Sequence, residues 1–157
     1  MRILLFNPWI TDFAAFDLWT RPLNLLRMAA VLEWHGCDVE LFDCLNRHSP
    51  LLDGVRTRNH RMGRYGCGHF FAEEIPLPEP LKFVPRRFKR FGIPKDRVAA
   101  AMRQISPPDG IVVSCMMTYW YPGAFEAIRL LKDIFPEVPV VLGGVYPTLC
   151  QQHAEQE

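Results

Sequence analysis

Hydrophobic residues along this 157-residue chain fall into short unbroken runs separated by longer stretches of helical spacing. Ile3 to Phe6 is an apolar run halted by Asn7-Pro8. Leu23 to His35 carries Leu25, Leu26, Met28, Ala29 and Leu32 and stops at Gly36, which predicts an amphipathic helix with a glycine cap. Val39-Glu40-Leu41-Phe42 reads as a second strand. Pro94 to Ile105 predicts a helix with an Ala-rich middle, closed by Ser106-Pro107-Pro108. Ile111 to Ser114 is a third strand, and Ala124 to Phe135 a helix with Phe125, Ile128, Leu130, Leu131 and Ile134 spaced for packing. A fourth apolar run, Val138 to Leu142, ends on Gly143-Gly144.

Strands alternating with helices specify a parallel sheet with right-handed crossovers, and unbroken apolar strands specify burial on both faces. The predicted fold class is α/β, a doubly wound flavodoxin- or Rossmann-like sheet of order 2-1-3-4. That fold normally continues to a fifth strand, whereas this chain ends just past Cys150. It therefore reads as one domain, residues 1–157, cut from something longer. Its fourth strand would be a bare apolar edge open to self-association. Residues 44–94 are too long for a plain strand-to-helix connection and form an insert.

Charge sharpens the picture of the insert. The net charge is +1, but residues 44–94 hold ten Lys/Arg against four Asp/Glu, and the remainder eight against thirteen. Arg64-Tyr65-Gly66 and Arg86-Arg87-Phe88-Lys89-Arg90-Phe91 interleave cations with aromatics, a pattern that single-stranded nucleic acid can use. The run is short and the chain as a whole is not basic, so a solvated arm, or one docked on the acidic remainder or on a partner domain, is the favoured reading. Five scattered cysteines without a C-x-x-C pair argue against a disulfide framework and a zinc ribbon. The apolar N-terminal run is too short for a signal segment or a membrane span, which predicts a cytoplasmic protein with reduced thiols.

In open α/β sheets ligands bind at the carboxyl ends of the strands, and glycines there let a ligand approach the backbone. Three loops should converge on that edge. One follows the first strand, with Asn7, Pro8 and Trp9, then Phe13, Phe16 and Trp19. The second runs from Ser114 through Cys115, Met116, Met117, Thr118, Tyr119 and Trp120 to Gly123, and the third from Gly143 to Thr148. Together they offer a broad apolar and aromatic lining with few polar groups, suited to a large flat cofactor or to burial under another part of the protein. There is no G-x-G-x-x-G, no P-loop and no flavin-type phosphate loop after the first strand. No acceptor aspartate ends the third strand, which excludes a response regulator. His48, His60 and His69 show no metal-ligand spacing, and no nucleophile-base-orienter trio is legible. Cys115 is read as a neutral buried thiol rather than a reactive one.

The Asn-Pro stop of the first strand, the segment Ser114 to Gly123 and the segment Gly143 to Cys150 resemble the N-terminal cobalamin-binding domain of cobalamin-dependent radical S-adenosylmethionine enzymes. Arg64-Tyr65-Gly66, Glu73-Glu74-Ile75-Pro76 and Pro85 to Pro94 are similar to one subgroup of that family. The resemblance implies a cofactor module whose parent enzyme is a methyltransferase or related radical enzyme, with S-adenosylmethionine and a 4Fe-4S cluster in a downstream catalytic domain. That domain would be the module's partner in the same polypeptide. The family's C-x-x-x-C-x-x-C motif is absent, so the chain alone is not expected to be catalytic.

The resemblance further implies that Gly143 and Gly144 admit the nucleotide tail, and that Ser114 and Thr118 hydrogen-bond the tail or the corrin amides. Met116, Met117 and Tyr119 would pack the lower corrin face, Tyr146, Pro147 and Thr148 would close one side, and Asn7 and Pro8 would complete the edge. The D-x-H-x-x-G of other cobalamin modules is missing, and Asn7 to Pro22 contains no His. Cobalamin would thus bind without a protein imidazole as lower ligand. The alternative is a non-catalytic α/β module that has lost its cofactor and docks a partner domain.

Overall fold

The central strand is buried because Leu4, Leu5 and Phe6 are apolar on both sides of the pleat, and each is at most 1% exposed. The computed structural model describes residues 1–18, 21–55 and 66–157. Trp19, His60, Arg64 and Tyr65, singled out above, lie outside the described residues. In chain order the elements are β1 (Arg2–Asn7), β2 (Ile10–Asp12), β3 (Phe16–Asp17), α1 (Leu23–Trp34), β4 (Asp38–Asp43), β5 (Gly68–His69) and β6 (Ala72–Glu74). They continue with β7 (Lys89–Phe91), α2 (Lys95–Met102), β8 (Gly110–Ser114), α3 (Tyr121–Ile134), β9 (Val140–Gly143), α4 (Val145–Leu149) and α5 (Gln151–Gln156).

The main sheet is parallel throughout, in the order β4-β1-β8-β9. With helices on both sides it is a Rossmann-like α/β arrangement. Residues alternate across it. Leu4, Phe6, Ile111 and Val113 join Val98, Met102, Ala127 and Leu131 in the larger core beneath α2 and α3. Ile3 and Leu5 pack with Leu25 and the half-buried Val112 beneath α1. Of the helical positions read as an apolar face, Leu25 is buried, whereas Leu26 and Met28 stay largely exposed. α3 starts at Tyr121, three residues before the predicted start, because Pro122 is favourable in a first turn.

The described part of the insert is folded. β7 pairs antiparallel with both β2 and β6, and β3 pairs with β5. Phe70 and Phe91 of the insert bury against Ile10 and Leu45. Two of its cations are drawn inward: Arg90 bridges Glu73 and Glu126 of α3 and lies over the Trp9 ring, while Arg47 pairs with buried Asp17 at 2.9 Å. Arg47 and Arg90 thus tie the described part of the arm to acidic side chains of the remainder. Gly92 allows the close return: its φ is +123°, and a Cβ would meet the Cys44 carbonyl oxygen at 2.5 Å.

Candidate functional site at the carboxyl edge of the sheet

β1 and β8 end side by side, and the two loops that leave them enclose an apolar cleft of about 210 Å³. Asn7, Pro8, Trp9, Ser114, Cys115, Met116 and Met117 line it, joined by Arg21, Leu45 and Trp120. Met116 also lines a second, shallower groove with Asn24, Gly144, Val145, Thr148 and Leu149, so the two concavities adjoin. Of the residues that line them, Met116, Met117 and Leu149 are large apolar side chains that stand exposed. Exposed apolar side chains gathered at a concavity mark a binding surface.

The polar groups at the edge are few and mostly committed. Asn7 is buried and donates from Nδ2 to Asp43 Oδ1 at 2.7 Å, and the same carboxylate oxygen accepts the Leu45 N–H at 2.9 Å. This ties the end of β1 to the end of β4. Trp9 donates its indole N–H to the Ile93 carbonyl at 2.6 Å. Ser114 is 2% exposed, and its Oγ accepts from Asn24 Nδ2. The Cys115 Sγ faces the Met117 carbonyl at 3.2 Å, and burial pushes the thiol pKa up to about 11, against only a smaller lowering by that hydrogen bond. Cys115 is therefore a neutral thiol at pH 7, not a thiolate.

The two glycines differ. Gly144 has φ +103°, and a Cβ there would lie 2.4 Å from the Cys115 carbonyl oxygen. Its glycine identity follows from the protein's own backbone, where the Tyr146 N–H reaches the same carbonyl at 3.2 Å, rather than from room for a ligand. Gly143 is the reverse: a Cβ there meets nothing within 4 Å. Register pairs Gly143 with Ser114 and Val141 with Val112, so all four project to the α1 side of the sheet. α1 packs over β1 and β4, and Val141 is 59% exposed. The α1 side of β9 is thus an open shelf beside the groove.

Tyr146 is not at the rim. It is 1% exposed, stacks on Tyr121 at 5.2 Å between centroids, and its hydroxyl meets His153 Nδ1 at 2.7 Å. Burial raises its pKa. In the fold it fastens α4 and α5 onto α3. Pro147 is half-buried and Thr118 opens a short turn, and neither lines a concavity. Tyr119 is exposed against Trp120. Thr148 lines the groove, but its hydroxyl caps the Gly144 carbonyl at 2.8 Å.

Asn24, Arg21 and Leu149 were not anticipated. Asn24 carried one signal, a lone amide inside the apolar Leu23–Leu26 run. No histidine lines either concavity, and among the described residues no three His, Cys, Asp or Glu side chains gather as a metal site. Among the same residues no helix is long and apolar enough to cross a membrane.

No curated protein and no solved structure matches this chain. Residues 88–157, from β7 to the end of α5, match the family model of the B12 binding domain. That segment, which supports a cobalamin-binding domain, contains Ser114 to Met117 and the Gly143–Gly144 turn, whereas Asn7 to Ile10, Arg21, Asn24 and Leu45 lie upstream of it.

Proposed function

We propose that this chain is the cobalamin-binding module of a larger cobalamin-dependent radical S-adenosylmethionine enzyme, a methyltransferase or related radical enzyme. The observation that carries the cobalamin reading is the open shelf at Gly143, inside the segment similar to the B12 binding domain, beside an apolar cleft that Ser114 to Met117 of that segment help to line. A Cβ at Gly143 would fill the space that the nucleotide tail needs, while the cleft and exposed methionines suit the flat underside of a corrin. Met116, Met117 and Tyr119 face that underside, Asn7 and Pro8 fix the neighbouring loop, and Ser114 and Thr118 supply polar contacts. Pro147 and Thr148 flank the groove. Cobalamin would be held there without a protein imidazole as lower ligand. Bound cobalamin supplies methyl- or radical-transfer chemistry at cobalt, and the module's part is to hold and orient it.

The parent class rests on the resemblance of Ser114–Gly123, Gly143–Cys150 and the insert to that enzyme family. S-adenosylmethionine and a 4Fe-4S cluster belong to its catalytic domain, the module's partner, and the exposed β9 edge is the surface for self-association. A specific observation favours a second reading as a docking module: Leu23, Val31 and Trp34 are 66%, 53% and 84% exposed on α1.

Titration with hydroxocobalamin, followed by visible absorbance, separates the two. The cobalamin module gives a saturable spectral change that Gly143→Trp weakens at least about tenfold, roughly 1.4 kcal/mol, without lowering thermal stability. A wild-type chain that gives no change is a docking module.

A further inference from the structure

Resting on the cobalamin reading, we propose that Asn24 anchors the cofactor, its carboxamide taking a hydrogen bond from or giving one to a ribose hydroxyl of the nucleotide tail in the groove between α1 and α4. Asn24 lies in the first turn of α1, upstream of the segment that matches the B12 binding domain. It serves no capping role, since Pro22 is the N-cap and no side-chain cap bond is made there.

A carboxamide has two polar ends. Here Nδ2 donates to Ser114 Oγ, while Oδ1 is buried with no hydrogen-bond partner. Exchanging the two ends would only leave the amide N–H unpaired instead, because Ser114 can serve one end at a time. Buried polar atoms are nearly always paired, so an orphan beside a concavity calls for a missing partner. The other two orphans among the described residues, Thr11 Oγ1 and Arg90 Nε, belong to the side of the fold where β2 meets the insert.

The groove identifies the partner. Thr148 is committed to the Gly144 carbonyl, and Met116, Val145 and Leu149 bring no polar side-chain group. Asn24 is therefore the groove's available polar side chain. A rotation of its carboxamide presents the unpaired end to the space beside Gly144 and the open shelf at Gly143. A hydroxyl both donates and accepts, so it satisfies whichever end is offered. In cobalamin that requirement is met by the ribose of the tail. The corrin's carboxamides can donate and accept as well, and it is the position of the groove beside the shelf proposed for the tail that favours the ribose.

The test compares wild type with Asn24→Leu, a near-isosteric change, using hydroxocobalamin and cobinamide, which has the corrin but no ribose. Absorbance titrations give the affinities, and thermal melting of the free chain gives stability. The expected result is about tenfold weaker cobalamin binding with cobinamide affinity held within about threefold. The free chain should melt close to wild type, because the change removes one orphaned atom, Oδ1, but leaves buried Ser114 Oγ without its donor. Asn24→Ala, which also removes the amide but cannot overfill the site, should show the same ligand selectivity.

Unchanged cobalamin affinity in both variants would overturn the assignment, and so would an equal loss for both ligands. Lower melting with selectivity lost would also overturn it, by making Asn24 a structural partner of Ser114. A wild-type chain that binds neither ligand would instead remove the cobalamin reading itself.

Discussion

The two faces of the main sheet are built from the same four strands but filled very differently. Under α2 and α3, Leu4, Phe6, Ile111, Val113 and Leu131 form one continuous buried core that extends to Phe135 and Tyr146. Under α1 the fully buried set is Ile3, Leu5 and Leu25, and Val141 at the far side is mostly exposed. Stability scales with the apolar area removed from water, so the first face holds the fold together. The second face carries what folding does not use: the open shelf at Gly143, the orphaned amide oxygen of Asn24 and the exposed Val141. A domain can leave one face unfinished only if the other suffices. That unfinished face is where a ligand or partner gains most.

The glycine pair gives the sharpest test of this division. Gly144→Ala puts a Cβ against the Cys115 carbonyl at a positive φ, and should cost on the order of 4 kcal/mol or more, or prevent folding. Gly143→Ala puts a Cβ into open space on the α1 side and should stay within about 1 kcal/mol of wild type. Urea unfolding of the two variants measures both. Equal losses would mean that the shelf at Gly143 is part of the packed structure after all.

Core truncations probe the same contrast with a smaller effect. Leu131 is fully buried beneath α3, and Leu131→Ala should cost about 3 kcal/mol in the same urea experiment. Val141→Ala, on the open side of β9, should change stability by no more than about 0.5 kcal/mol. A large loss at Val141 would show that the α1 side is covered in solution.

The repeating strand and helix pattern made the main sheet legible, because unbroken apolar runs such as Ile3–Phe6 and Val140–Leu142 have few other ways to be buried. The convergence of Asn7, Ser114 and Gly143 on one edge followed from that topology. Individual roles did not. Tyr146 reads as a rim aromatic in sequence, yet its hydroxyl found His153, seven residues on, which buried it. Gly143 and Gly144 look equivalent as letters, and only the position of the Cys115 carbonyl separates them. Asn24 was illegible because its meaning lies in a bond to Ser114, ninety residues away, and in a bond it fails to make. The folded strands of the insert escaped notice because β6 and β7 are three residues each, too short for alternation to register.

Cys115 stands where the two faces meet, at the end of β8, and its titration gives the smallest and most local probe. Its thiol has a pKa of about 11 in the folded chain against an ordinary value of 9.0, because burial disfavours the thiolate. The folded state therefore keeps a proton that the unfolded state gives up as pH rises through 9. Below that value the thiol leaves stability unchanged. Between pH 9 and 11 stability falls, by about 1 kcal/mol at pH 10 from this group alone. Cys44, whose pKa burial raises first and Asp43 second, adds a loss of the same sign. Urea midpoints at pH 8 and pH 10 for wild type and Cys115→Ala isolate the Cys115 share, since Cys44 is common to both. A variant that loses stability between those pH values as steeply as wild type would mean the Cys115 thiol is open to water. The cleft floor would then belong with the unfinished face rather than with the packed one.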